Sequence, residues 1–80
     1  MTTVRQDKMS STGEFRLKIN GDERAVPGPL TVAELLRHLD VDGRQVGVEC
    51  NKRLVPKSRF ELTMLASGDE LEIVTFAGGG

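Results

Sequence analysis

The stretch Leu30-Thr31-Val32-Ala33-Glu34-Leu35-Leu36-Arg37-His38-Leu39 constrains the fold more than any other part of the chain. Val32, Leu35, Leu36 and Leu39 stand at i, i+3, i+4 and i+7, so a helix here presents one apolar face. Its start is written into the residues. Thr31 is placed to cap the first turn and Glu34 to return the bond, the capping-box pattern, while Leu30 and Leu35 hold the positions of a hydrophobic staple. Each such apolar side chain contributes roughly 1.5–3 kcal/mol when buried, enough together to dock the helix on a sheet. Upstream the period changes to two. Phe15-Arg16-Leu17-Lys18-Ile19 alternates as a half-buried strand does. Asn20-Gly21 suits a turn with positive φ at both central residues, and Glu23-Arg24-Ala25-Val26 returns as the partner strand. Pro27-Gly28-Pro29 ends the hairpin, because proline brings no N–H to a ladder. One helix among strands covers one face of a sheet, an α+β layer arrangement.

The rest of the chain extends that plan. Gly43 marks the exit from the helix. Residues 46–50 form a third strand, Asn51-Lys52 turns it, and Arg53-Leu54-Val55 is a short fourth strand stopped at Pro56. Residues 57–65 show no clear period; we expect a helical turn over 58–61 and then an irregular crossing with Leu62 and Leu65 directed inward. Ser67-Gly68-Asp69 is a turn before a last strand over 70–76. There Leu71 and Ile73 share one face, and Glu72, Val74 and Phe76 the other. The order is ββαβββ, and one arrangement it allows puts the last strand beside the first, parallel to it and central. Residues 1–14 are polar and read as a flexible extension, 15–76 as the folded domain, and 77–80 as a flexible glycine tail.

Composition removes several classes of function. With 80 residues, 29% of them charged, and a net charge of −1, neither sign dominates, and no electrostatic pull toward nucleic acid or membrane is expected. With no Trp, no Tyr and one histidine, a base-stacking nucleic-acid surface is poorly supported. No apolar run is long enough for a membrane span or a secretory leader, so the cytoplasm is the expected location. A single cysteine and a single histidine argue against a disulfide framework or a metal site. No base, nucleophile and metal constellation is visible, so the chain does not read as a stand-alone enzyme.

The tail carries the chemistry. Ala77-Gly78-Gly79-Gly80 has almost no side chain, and the six residues from Thr75 onward, fully extended, reach roughly 20 Å. A terminal α-carboxyl titrates near about 3.5, so at neutral pH it is an ionised, unhindered nucleophile. The plain alternative is a frayed end.

Several stretches together resemble the ThiS family, the sulfur carriers of thiamin biosynthesis with a ubiquitin-like β-grasp fold. They are Ile19-Asn20-Gly21; Leu30-Thr31-Val32-Ala33-Glu34-Leu35-Leu36; Val48-Glu49-Cys50-Asn51 leading to Leu54-Val55-Pro56; and Gly68-Asp69-Glu70-Leu71-Glu72-Ile73-Val74 running into the glycines. The resemblance implies a carrier acted on by others. A ThiF-like enzyme of the ubiquitin-activating type would adenylate the Gly80 carboxylate with ATP and magnesium. Sulfur from a cysteine-desulfurase relay would replace AMP, and the thiocarboxylate would serve a ThiG-like thiazole synthase. By position, Gly80 bears the reacting carboxyl and Gly79 completes the pair, while Gly78 matches only members with three glycines. No cofactor would be held permanently. Sibling carriers, such as the small molybdopterin-synthase subunit, share fold and tail, and a β-grasp interaction module without chemistry is the rival from another class.

The remaining candidates keep two readings each. Val74 and Phe76 either lie on the open sheet face as a docking surface or are turned inward by a β-bulge. Cys50 reads as a small hydrophobe on a strand, with a sulfur-relay thiol or a conjugation site as the alternative. Lys52, Arg53, Lys57 and Arg59 form a loose basic cluster, either plain solvated surface or guidance toward an acidic partner. Asp69, Glu70 and Glu72 read as turn and exposed strand rather than as an acid–base pair, and His38 as solvent-facing.

Overall fold

Asn20 and Gly21 take φ of 51° and 88°, and the turn they form sets Ile19 opposite Asp22 in an antiparallel hairpin. These values come from a computed structural model, which describes residues 15–76. The expected extension over 1–14 and tail over 77–80 lie outside the described residues. The hairpin strands are β1, Phe15–Ile19, and β2, Asp22–Val26. Helix α1 runs Val32–His38 behind the expected capping box: Glu34 N–H donates to Thr31 Oγ1 (3.1 Å), and Thr31 N–H to Glu34 Oε1 (2.8 Å). The helix stops before Gly43 is reached. Asp40 turns left-handed (φ 63°), and its N–H donates to Arg37 O while Val41 N–H donates to Leu36 O, a Schellman closure built on aspartate instead of glycine. Gly43 instead opens a 3₁₀ turn, Gly43–Gln45. Strand β3 (Val46–Cys50), strand β4 (Arg53–Val55), a second 3₁₀ turn (Lys57–Arg59) and strand β5 (Glu70–Thr75) follow.

The sheet order is β2-β1-β5-β3-β4, so the last strand lies in the centre. It pairs parallel with β1 through Lys18↔Glu70 and Ile19↔Leu71, and antiparallel with β3 from Val46↔Thr75 to Cys50↔Leu71. Leu17, Val48 and Leu71 from the sheet form one buried core with Val32, Leu35 and Leu36 of the helix. Ala33 is buried there as well, so the apolar face is wider than the four-residue stripe suggested.

Strand β1 ends at Ile19 while β5 continues, and a side chain makes up the difference. Asn20 N–H donates to Leu71 O (2.9 Å). Its side-chain Oδ1 then accepts from Ile73 N–H (2.7 Å), and its Nδ2 donates to Ile73 O (3.2 Å). The amide stands in for the next peptide of β1 and satisfies an edge that would otherwise be unpaired. On the other flank Asn51, also left-handed at φ 53°, holds the start of the same strand. Its Oδ1 accepts from Glu70 N–H (3.0 Å), and its backbone N–H donates to Glu70 O (2.7 Å).

The irregular segment differs from expectation in one residue. Leu65 is buried, but Leu62 is 69% exposed, and Phe60 goes inward instead. The reason is the start of α1, whose first N–H groups have no partner within the helix. Val32 N–H donates to Thr63 O and Ala33 N–H to Phe60 O, while Leu65 N–H donates to Leu30 O. Pinned by its backbone along the helix start, the segment turns Phe60 and Leu65 to the core and Leu62 to solvent.

Asn20→Gly keeps the left-handed turn but deletes the clasp on Ile73. It is expected to lower unfolding free energy by about 1–2 kcal/mol, measured by urea denaturation.

Candidate functional site

Val74 and Phe76 lie outward, 58% and 52% exposed. Paired residues across β3 and β5 share a face, so Gly47↔Val74 and Glu49↔Glu72 look away from the helix, while Val48↔Ile73 and Cys50↔Leu71 look toward it. No bulge turns Val74 inward; its register with Gly47 is unbroken. Leu54, opposite Glu49 and 70% exposed, adds a third apolar side chain to the open face. The sequence reading missed it by treating β4 only as a short connecting strand.

Phe76 sits one residue beyond β5 and is the last described residue before the glycines. Its N–H donates to Gln45 O (2.8 Å). Its ring lies against Gly47, where a Cβ would come within 3.3 Å of the ring's Cζ. A glycine inside a strand marks a close approach, and that was the signal available in Val46-Gly47-Val48. The Gln45 carbonyl is itself placed by the turn at Gly43–Gln45. Asp42 Oδ1 accepts from the Arg44 N–H (2.9 Å), and its carboxylate takes two bonds from the Arg44 guanidinium (3.1 and 3.0 Å). The guanidinium hydrogen bond, followed by the backbone one, holds the Asp42 carboxyl below its usual value.

The basic cluster separates in three dimensions. Lys57 leaves it: the Nζ donates to Val46 O (2.6 Å) and stands 4.8 Å from the centre of the Phe76 ring and 5.9 Å from that of Phe60. Asp69 is structural, as expected of a turn residue. Its carboxylate accepts from Asn51 Nδ2 (3.0 Å) and from Ala66 N–H (2.9 Å). His38 is exposed in the last turn of α1. Among the described residues no three His, Cys, Asp or Glu side chains are grouped to hold a metal ion, and no helix is long and apolar enough to cross a membrane.

Cys50 packs half-buried against the core. Burial, then the charge of Asp69 and a hydrogen bond to it, push its thiol up to about 11. A thiolate is the reactive form, so this is a poor nucleophile near neutrality. The structure favours the packing reading over a relay thiol. The predicted reacting residues Gly78, Gly79 and Gly80 lie outside the described residues, and what the structure supplies is the base from which they leave.

Comparison with known proteins agrees with this layout. The model of the ThiS family matches residues 17–80. A thiazole synthase of Paramagnetospirillum magneticum is 49% identical over 66 residues, which is 82% of this chain but 20% of that protein, so the chain spans a fifth of that relative's length. The sulfur carrier protein ThiS of Bacillus subtilis is 35% identical, covering 80% of this chain and 98% of that one. The crystal structure of the thiamine biosynthesis protein ThiS from Geobacter metallireducens superposes with a TM-score of 0.72 at 36% identity, over 82% of this chain and 100% of that one. The fold is the ubiquitin-like β-grasp of these neighbours.

Alkylation of Cys50 by iodoacetamide near pH 8.5 is expected to run about a hundredfold slower in the folded chain than in urea, followed by mass spectrometry. A raised thiol pKa leaves the folded form with that much less thiolate.

Proposed function

This chain belongs to the ThiS family, the sulfur carriers of thiamine biosynthesis, and we propose that it carries sulfur as a thiocarboxylate on Gly80. The observation that carries this reading is the union of a rigid central strand with a side-chain-poor end. β5 is paired on both flanks, and the chain passes from it through Phe76 directly into Ala77-Gly78-Gly79-Gly80. A carboxylate accepts sulfur badly, since oxide is a poor leaving group. An adenylating partner of the ThiF type, using ATP and magnesium, removes that obstacle. The Gly80 carboxylate attacks the α-phosphate and pyrophosphate departs. A persulfide supplied through a cysteine-desulfurase relay then forms a C–S bond as the C–O bond to AMP breaks, and a thiol reductant cleaves the S–S bond of the resulting acyl disulfide to leave the thiocarboxylate.

Acyl-adenylates hydrolyse, so the partner must enclose the reacting end away from water. Only a chain without side chains threads into such a site with ease, which is the role of Gly79 and Gly78. Val74 and Phe76 form the apolar surface on which the partner docks, with Leu54 farther along the same open face. The acceptor is a thiazole synthase. In the Paramagnetospirillum protein of that name, a segment similar to this chain occupies a fifth of the polypeptide, which joins carrier and acceptor in one molecule. That association favours the thiazole route over a sibling pathway.

Incubation with the activating enzyme, ATP, magnesium and a sulfur source is expected to exchange one terminal oxygen for sulfur, read by intact mass. A chain that undergoes no ATP–pyrophosphate exchange with that enzyme would refute the carrier reading. Gly79→Val is expected to cut loading at least tenfold without moving the urea midpoint, because a β-branched side chain widens the thread. Val74→Asp is expected to raise the KM for the activating enzyme about tenfold with stability unchanged, measured by pyrophosphate exchange and urea denaturation.

A further inference from the structure

We infer that Lys57 is a positioning residue for the carrier reaction: it clasps Phe76 against Gly47 and so fixes the root from which the glycine tail begins. The inference rests on the carrier reading above and extends it to a side chain remote in sequence from the tail. Five contacts converge on Phe76 and its surroundings. The Phe76 N–H is tied to Gln45 O (2.8 Å). The ring is laid against Gly47, where the missing Cβ makes room for it. Above the ring, at 4.8 Å, stands the Lys57 ammonium, which is itself tied to the backbone at Val46 O (2.6 Å). The same ammonium is 5.9 Å from the Phe60 ring, and Phe60 is buried in the core.

A lysine at a protein surface ordinarily keeps its charge in water, on a flexible stem. Here it is held between a carbonyl and the negative face of a ring, a geometry that attracts a cation. Phe76 is otherwise half exposed and lies past the end of the ladder, so one backbone bond alone leaves its ring free to swing. With Lys57 in place the ring is fixed on three sides. Ala77, with only a methyl, and the glycines bring no side chain that could correct an error made at their root. A displaced root shifts the whole volume that the reacting carboxyl can search, and misplacement of a reacting group costs rate steeply. Val74, which has no part in the clasp, keeps its share of the docking surface, so the larger defect belongs to the step after docking.

The test combines kinetics of pyrophosphate exchange with NMR of the free chain. In Lys57→Met, kcat is expected to fall about tenfold, with a smaller change in KM and the urea midpoint unmoved. The ring-current shift of the Gly47 α-protons by Phe76 is expected to shrink in the same variant. Lys57→Arg, which can both stack on the ring and donate to a carbonyl, is expected to restore kcat and the shift. Gly47→Val displaces the ring by a separate route and is expected to reproduce the kcat loss with Lys57 intact. Loss of the ring-current shift without loss of kcat, or a loss confined to KM, overturns the inference and leaves the carrier reading standing. A wild-type chain that keeps the shift but is never adenylated overturns the carrier reading, and the role of Lys57 falls with it.

Discussion

The structure depends on the pairing of β5 along both of its edges. A strand in the centre of a sheet has its N–H and C=O groups satisfied on each side, and it cannot leave without breaking two ladders. On one side β3 supplies a register running from Val46↔Thr75 to Cys50↔Leu71. On the other, β1 is too short, and the Asn20 side chain completes the edge at Ile73. Asn51 closes the beginning of the strand at Glu70. Both asparagines sit in left-handed turns, a conformation their short polar side chains tolerate. Each thus works twice, bending its own hairpin and binding the strand that neither hairpin contains.

Around that strand the molecule divides into a sealed face and an open one. The sealed face carries the core, with Leu17, Leu35 and Leu71 fully buried between sheet and helix. The segment after β4 completes it, because its carbonyls at Phe60 and Thr63 take the N–H groups at the start of α1. The open face carries apolar residues where the chain passes toward its glycines. Lys57 connects the two, standing near Phe60 of the core and Phe76 of the tail root. Rigidity up to Phe76 and a bare thread beyond it suit a protein that is loaded inside another.

Local patterns in the chain were legible wherever one interaction decided the outcome. The capping box at Thr31 and Glu34, the Asn20-Gly21 turn and the alternation of β1 each rest on neighbours a few residues apart, and each is found as read. Leu62 was misread because the segment around it is ordered by the helix start at Val32 and Ala33, far away in sequence. Lys57 was misread as one of a set of surface charges because its partners, Val46 and Phe76, lie on strands that only the sheet brings together. Val74 and Phe76 were found as candidates, but alternation alone left their direction open; the unbroken register with β3 decided it.

By itself the sequence determined the capped helix, the first hairpin and a glycine run without side chains, since these follow from capping, period and composition, and its motifs carried the resemblance to the ThiS family. Tertiary structure alone decided how the strand leading to that run is held, up to Phe76. Asn20 reaching Ile73 spans 53 positions of the chain, and no local pattern encodes a bond between groups so far apart. The physical reason is that hydrogen bonds and ring contacts act over a few ångströms of space, so they exist only once folding has spent the entropy that brings their partners together.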